Sequence, residues 1–293
     1  MSLNNKCRLI SSSKQYLFRI VHVRFRCTKS EKSQQINKIN STLESTVDVS
    51  EVKLHSKFSE KWWDKNGDLR ALHSLNRLRV QFIRDGLQNM NLKTSNEALS
   101  LNGAKILDVG CGGGILTEAL ARIGANVTGV DASSELIETA KSHAALDHKI
   151  SGRTNYICIS IEDFIKSNHQ TYDAVVASEI LEHVNNKKLF LQNCSAALKT
   201  GGSIFITTLN KSFQSWLGGI IIAEYLLKLA PIGTHSWNKF ITPIETQYLL
   251  KSCGCTTRLV HGMFYNPLQN EWIWSSSTAI NYAIHAVKSS SNV

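Results

Sequence analysis

The first thirty residues of this 293-residue chain contain neither Asp nor Glu. Seven basic residues fall in the same stretch (Lys6, Arg8, Lys14, Arg19, Arg24, Arg26 and Lys29), so seven of the ten net positive charges lie there and +3 is left for the rest. That distribution argues against a nucleic-acid surface on the body of the protein. The stretch is also rich in Ser and Arg, with Leu17, Phe18, Ile20, Val21, Val23 and Phe25 interleaved, which is the composition of a mitochondrial transit peptide or, more plainly, of a basic tail. Long hydrophobic runs are missing too. The most apolar segment, Ser215–Pro231, falls short of the ~20 residues that span a bilayer, and Glu224 and Lys228 interrupt it. No C-x-x-C pair occurs among the seven cysteines, and Cys253-Gly-Cys255 has no second pair to complete a zinc site. Scattered cysteines fit a reducing compartment. The sequons at Asn40, Asn193 and Asn210 then carry no weight.

What is present is a core-forming composition, 42% hydrophobic. The expected organisation is a transit segment over 1–30, a polar Ser/Asn-rich linker over 31–51 and one domain over 52–288. Within that domain, 52–100 reads as a helical lid and 211–240 as an apolar helical insertion. Leu72, Leu75, Leu78 and Phe82 keep a helical rhythm in the lid. Trp62-Trp63 reads either as an aromatic face packed on the domain or as a cover over a ligand.

The centre of the chain carries the chemistry. Lys105–Val109 is an apolar strand that runs into Gly110-Cys-Gly-Gly-Gly114, with Asp108 two residues before the first glycine. A second strand, Asn126–Asp131, ends on an acid that can accept hydrogen bonds from a ribose diol. This is the first half of a nucleotide-binding βαβ unit. A dinucleotide loop needs a third glycine at position 115, and Ile115 stands there. The loop therefore suits a ligand with no pyrophosphate to seat on a helix N-terminus. Its pattern resembles motif I of the class I S-adenosylmethionine (SAM) methyltransferases. That resemblance implies SAM contacts at Asp108, Gly110, Gly112 and Asp131, and an acid near the adenine amine at Asp163. Asp163 also reads as an ordinary helix N-terminal acid.

Further strands are expected at Tyr156–Ser160, Tyr172–Ala177 and within Lys199–Thr208, alternating with helices. The fold class is α/β: a doubly wound, mostly parallel, Rossmann-like sheet, with seven strands implied by the family. Ligands then bind at the carboxyl ends of the strands, where the glycine loop, Asp131, Asp163 and Ser178 fall. Just beyond the fourth strand lies Ser178-Glu-Ile-Leu-Glu-His-Val184. On a helical turn, Glu179, Glu182 and His183 would face one way. Two carboxylates and an imidazole suit Mg²⁺, or they line the pocket without metal.

Several stretches in order resemble the ubiquinone-biosynthesis O-methyltransferase family: Trp62-Trp-Asp, Leu72-His-x-Leu-Asn-x-Leu-Arg79, Leu107-Asp-Val-Gly-Cys-Gly-Gly-Gly, Glu179-Ile-Leu-Glu-His-Val, Thr208-Leu-Asn-x-Ser, Gly233-Thr-His235, Lys239-Phe-Ile and Gly262-x-x-Tyr-Asn-Pro267. The similarity runs from about residue 52 to 286. It implies SAM contacts at Arg79, Gly110, Asp131 and Ser178, and a catalytic divalent metal, Mg²⁺, on Glu179, Glu182 and His183. It also implies a polyprenyl catechol substrate, the matrix face of the mitochondrial inner membrane, and other ubiquinone-biosynthesis proteins as partners. Arg77 and Thr200 stand where the family usually has Pro. Position 178 varies in type there, so Ser178 is expected to contribute backbone contacts. The apolar run with Trp216, Tyr225 and Lys228 reads either as a buried helix or as an interfacial segment that meets the lipid surface. A same-fold methyltransferase for another small molecule, and a SAM-binding scaffold without catalysis, are the alternatives.

Overall fold

The computed structural model describes residues 45–90, 100–212, 215 and 239–289. The expected transit segment, most of the linker and nearly all of the apolar insertion lie outside the described residues.

The described chain begins with α1 (Val49–Ser56), capped by the Asp48 carboxylate on the amides of Ser50 and Glu51. Thr46 is already buried, so the ordered body starts before the boundary at Val52 that composition suggests. Next comes α2 (Arg70–Asn89), whose buried face carries Leu75, Leu78, Phe82, Ile83 and Leu87 at helical spacing. Arg79 lies on that same buried face.

The rest alternates: β1 (Lys105–Val109), α3 (Ile115–Arg122), β2 (Asn126–Asp131), α4 (Ser134–Ala144), α5 (His148–Ser151), β3 (Thr154–Cys158), α6 (Ile161–Ile165), β4 (Tyr172–Ser178), α7 (Lys187–Ala197), β5 (Leu198–Leu209), α8 (Pro243–Ser252), β6 (Cys255–Asn266), β7 (Glu271–Ser275) and β8 (Asn281–Lys288). Ser133 caps α4 by accepting from the Leu136 amide. Gly124, in the left-handed region, follows α3.

Among the described residues, the eight strands form one sheet in the order β3-β2-β1-β4-β5-β8-β6-β7. Pairings from β3 through β5 are parallel. Those of β8 with β5 and β6, and of β7 with β6, are antiparallel. The sheet thus has one strand more than the expected seven, the edge strand β7. Residues along β1 alternate between two cores: Ile106 packs with Leu75, Phe82 and Leu120 on one face, and Leu107 with Val175, Phe190 and Ile204 on the other. This period of two places helices on both faces. The chain order reverses at β1, between β2 on one side and β4 on the other. That switch point opens a crevice at the carboxyl ends of the strands.

Candidate active site

The crevice holds a cavity of about 360 Å³. Its wall includes Arg79, Asp108, Gly110, Gly112, Asp131, Ser178, Glu179, Glu182 and His183. Of the cofactor and metal residues expected from sequence, Asp163 alone is not brought there. It is exposed, accepts from Lys166 Nζ at 2.7 Å and sits in the first turn of α6. The helix-terminal reading of Asp163 therefore fits its position, and Ile159, Ser160 and Ile161 line the cavity instead.

At one end the geometry belongs to the backbone. Gly110 and Gly112 have φ of 74° and 53°, a region that favours glycine. A Cβ on Gly110 would also lie 2.7 Å from Ile180. Asp131 is fixed by two amides, Gly112 N–H at 2.9 Å and Ser133 N–H at 2.8 Å. Burial raises its pKa, against the pull of those amides. Thr117 donates to Asp108 Oδ2 at 2.6 Å. Burial lifts Asp108 to about 6, with Thr117 and Arg79 opposing.

Arg79 bridges the two ends. Its Nε donates to Asn76 at 2.7 Å, one terminal nitrogen to Ser178 Oγ at 3.0 Å and the other to the Leu72 carbonyl at 3.3 Å. Burial presses its pKa down to about 10, and Asp108 and Glu179 resist. The guanidinium stays charged at neutral pH. The Ser178 hydroxyl also meets Thr207 Oγ1 at 2.8 Å, so it is engaged within the protein.

The other end departs from the expected helical turn. Glu179 has φ of 53°, a strained value for a residue with a side chain. Its N–H donates to the Thr207 carbonyl at 2.8 Å, and no helix begins until Lys187. The i, i+3, i+4 geometry is therefore lost. Glu179 Oε1 is buried with no hydrogen-bond partner. Burial, and then the neighbouring Glu182, raise Glu179 to about 7. Glu182 is buried and accepts from Thr208 Oγ1 at 2.7 Å. His183 turns its Nδ1 to Glu51 Oε2 at 3.0 Å. Burial alone would lower the His183 pKa, but Glu51, Glu182 and Glu179 together raise it.

Among the described residues, the metal-type cluster whose ligand atoms lie within 4.8 Å of one another is Glu51, His55 and His183, not the expected trio. Lys239 Nζ already contacts Glu51 Oε1 at 2.9 Å and Asp48 Oδ2 at 2.7 Å, so that cluster holds its own cation. Lys239, expected at the substrate entrance, reaches Glu51 without lining the cavity, and Glu51 and His55, which do line it, were not expected there. Asp48-x-x-Glu51 has the acid spacing of a helix start, and that signal would have moved the domain boundary to include Glu51.

Trp62 and Trp63 divide between their two readings. Trp63 packs: its Nε1 donates to the Gly113 carbonyl at 3.0 Å and its ring stacks on His143 at 3.4 Å. Trp62 lines the cavity with Phe58, Leu69 and Leu72. His73 Nε2 meets the Trp62 carbonyl at 2.9 Å, and Asn76 donates to the Ile115 carbonyl at 2.8 Å. The Leu-His-x-Leu-Asn stretch thus ties the aromatic segment to the glycine loop.

A sheet of this order, with a glycine loop after β1 and an acid ending β2, defines a class I SAM-dependent methyltransferase. Residues 107–206 match the methyltransferase domain family. The chain has the fold of the Synechocystis magnesium protoporphyrin IX methyltransferase with bound SAH (TM-score 0.53, 18% identity, covering 76% of this chain and 86% of that one). It is 43% identical over 275 residues to the mitochondrial ubiquinone biosynthesis O-methyltransferase of Bos taurus, covering 93% of this chain and 74% of that protein. A bacterial relative of the same description, from Bradyrhizobium, is 40% identical, covering 84% of this chain and 95% of the relative. The chain belongs to the ubiquinone biosynthesis O-methyltransferases.

Proposed function

We propose that this enzyme methylates catechol hydroxyls of polyprenyl-dihydroxybenzoate and demethylubiquinol intermediates, with a divalent cation, Mg²⁺, beside the acceptor. The carrying observation is that one cavity joins a ribose-type acid, Asp131, to a buried carboxylate pair, Glu179 and Glu182. SAM supplies an electrophilic methyl when bound. Asp131 then accepts from the ribose diol, and Gly110 and Gly112 let the backbone approach the rest of the cofactor. Arg79 holds Ser178 at the junction of the two ends.

The acceptor end fits a divalent cation. Glu179 has an unpartnered buried oxygen, and two adjacent carboxylates in a dry site favour a shared counter-ion. Glu179 and Glu182 would hold it, with His183 joining them once its side chain is brought round to the pair, and it would supply Lewis acidity toward a phenol whose ordinary pKa is about 10. Glu51 orients the His183 ring through Nδ1. The apolar wall from Leu69, Leu72 and Leu209 excludes water from the methyl path.

The relatives' mitochondrial description and the acid-free, basic first thirty residues support a mitochondrial location for this chain. Among the described residues no helix is long and apolar enough to cross a membrane. The apolar segment within 211–240 is proposed to meet the matrix face of the inner membrane, where lipid-tailed substrates and other ubiquinone-biosynthesis proteins are found. The test is methyl transfer from labelled SAM to a short-tailed prenyl dihydroxybenzoate, with Mg²⁺ or with EDTA. Product that vanishes with chelator is expected. Product that survives EDTA overturns the cation role, and no product alongside intact SAH binding overturns the substrate.

A further inference from the structure

Trp62 presents the one tryptophan indole N–H among the described residues that is buried without a hydrogen-bond partner. Only 7% of the residue is exposed. Trp63 and Trp272, by contrast, donate to the carbonyls of Gly113 and Ala71. A buried donor left unpaired is costly, so such a group points to an acceptor.

The surroundings say where that acceptor lies. Trp62 shares the cavity wall with Gly110, Gly112 and Asp131. Its ring lies against the glycine loop: a Cβ on Gly112 would come within 2.3 Å of the indole Cζ2, and one on Gly113 within 2.3 Å of Cδ1 and 2.8 Å of Nε1. Gly112 has positive φ and would be glycine in any case. Gly113 does not have positive φ. Its lack of a side chain is therefore explained by the close approach of the indole rather than by backbone conformation. The ring packs with Ile115 and Leu136, and the Trp62 carbonyl is held by His73.

We propose that Trp62 is a cofactor-binding residue: its indole closes the glycine-loop end of the SAM site and its N–H donates to the carboxylate of the cofactor's amino-acid part. That carboxylate is the one anionic acceptor SAM carries. With the ribose at Asp131, the family resemblance would lay the amino-acid part along the loop, toward Gly112 and Gly113. The inference rests on the reading of this cavity as the SAM site, and its test separates the two.

The test compares two ligands by calorimetry on the full chain. S-adenosylhomocysteine carries the amino-acid part and 5′-methylthioadenosine lacks it. Trp62→Phe keeps an aromatic ring and removes the donor. It is expected to weaken S-adenosylhomocysteine about tenfold, the value of one lost hydrogen bond to a charged group, and to leave methylthioadenosine unchanged. Equal loss on both ligands, or loss on neither, overturns the donor role. Wild-type protein that binds neither ligand overturns the SAM reading itself.

A second pair of variants tests the packing independently of the donor. Gly113→Ala is expected to weaken S-adenosylhomocysteine in the wild-type background and to have no further effect on top of Trp62→Ala. Additive losses would overturn the assignment of Gly113 to the indole. Thermal melts of each variant distinguish misfolding from a lost contact, because a folded Trp62→Phe protein must melt as one transition before its affinities count.

Discussion

The two ends of the cavity are built from different materials. At the glycine loop the ligand-facing groups are set by backbone: Gly110 and Gly112 at positive φ, and Asp131 gripped by two amides. At the Glu179–His183 end they are set by side-chain charge: burial and the nearby Glu182 raise the proton affinity of Glu179, and His183 leans on Glu51. The loop and acid of the first end are assembled within about twenty-five residues of chain, Asp108 to Ser133, with the Trp62 ring laid against the loop from the segment before α2. The second draws on α1, the turn after β4, the end of β5 and Lys239. A backbone site binds with little cost in charge, whereas a carboxylate site stays frustrated until a cation or proton relieves it. Binding and chemistry should therefore come apart under mutation.

The largest expected effect breaks the second end alone. Glu179→Ala removes a buried carboxylate from the proposed acceptor end and spares the glycine loop. Turnover is expected to fall by a factor on the order of 10² to 10³, the scale of losing one electrostatic anchor at a reacting centre. Affinity for S-adenosylhomocysteine should stay within about twofold. A matching collapse of that affinity would show that the two ends act as one site.

Glu51→Gln sharpens the same end from outside. It keeps the shape and removes the charge that faces His183 Nδ1 and Lys239 Nζ. Losing such an orienting partner typically costs about 10- to 100-fold in metal affinity or activity. We expect about tenfold weaker Mn²⁺ binding by titration, with cofactor affinity unchanged. A drop in melting temperature with Mn²⁺ binding intact would make Glu51 a clasp for α1 and nothing more.

How much of this is legible in the sequence follows from the same contrast. The strands β1 to β5 and the glycine loop announce themselves because glycine, apolar runs and a terminal acid are local signals. The pair β6–β7 is not so marked. Glu271–Ser275 is a five-residue edge strand with partners on one side only, too short for periodicity to separate strand from loop. At the second end the residue types are readable and their geometry is not. Glu179 takes a left-handed conformation because its N–H is claimed by Thr207 on the neighbouring strand. No spacing rule foresees that. Composition places Glu51 in a linker because its partner His183 is 132 positions away.

Acidity offers a test at the first end. Asp108 ordinarily titrates at 3.8, and burial lifts it to about 6 in the fold. The folded state therefore binds this proton more tightly than the unfolded chain. The stability this adds is complete below about pH 4 and is lost as pH rises through 6. A rise of that size corresponds to about 3 kcal/mol, an upper bound once Arg79 and solvent relax. Asp108→Asn keeps an acceptor for Thr117 and should melt higher than wild type at about pH 7.5, with the gap closing toward pH 4. A gap that does not change with pH would remove the charge explanation.

The smallest effect marks the edge of the first end. Asp163 is expected from sequence beside the adenine amine, yet its carboxylate lies outside the cavity wall and pairs with Lys166. Surface pairs of this kind contribute little. Asp163→Asn is therefore expected to leave S-adenosylhomocysteine affinity and turnover unchanged within error. The neighbouring Ser160 hydroxyl, which accepts from the Asp163 amide at 3.2 Å, still caps α6 in that variant. A clear loss of affinity would mean that α6 turns its first residues inward when the cofactor binds. The glycine-loop end would then depend on a side chain delivered by movement, and the contrast between a rigid backbone site and a charge-built one would no longer hold.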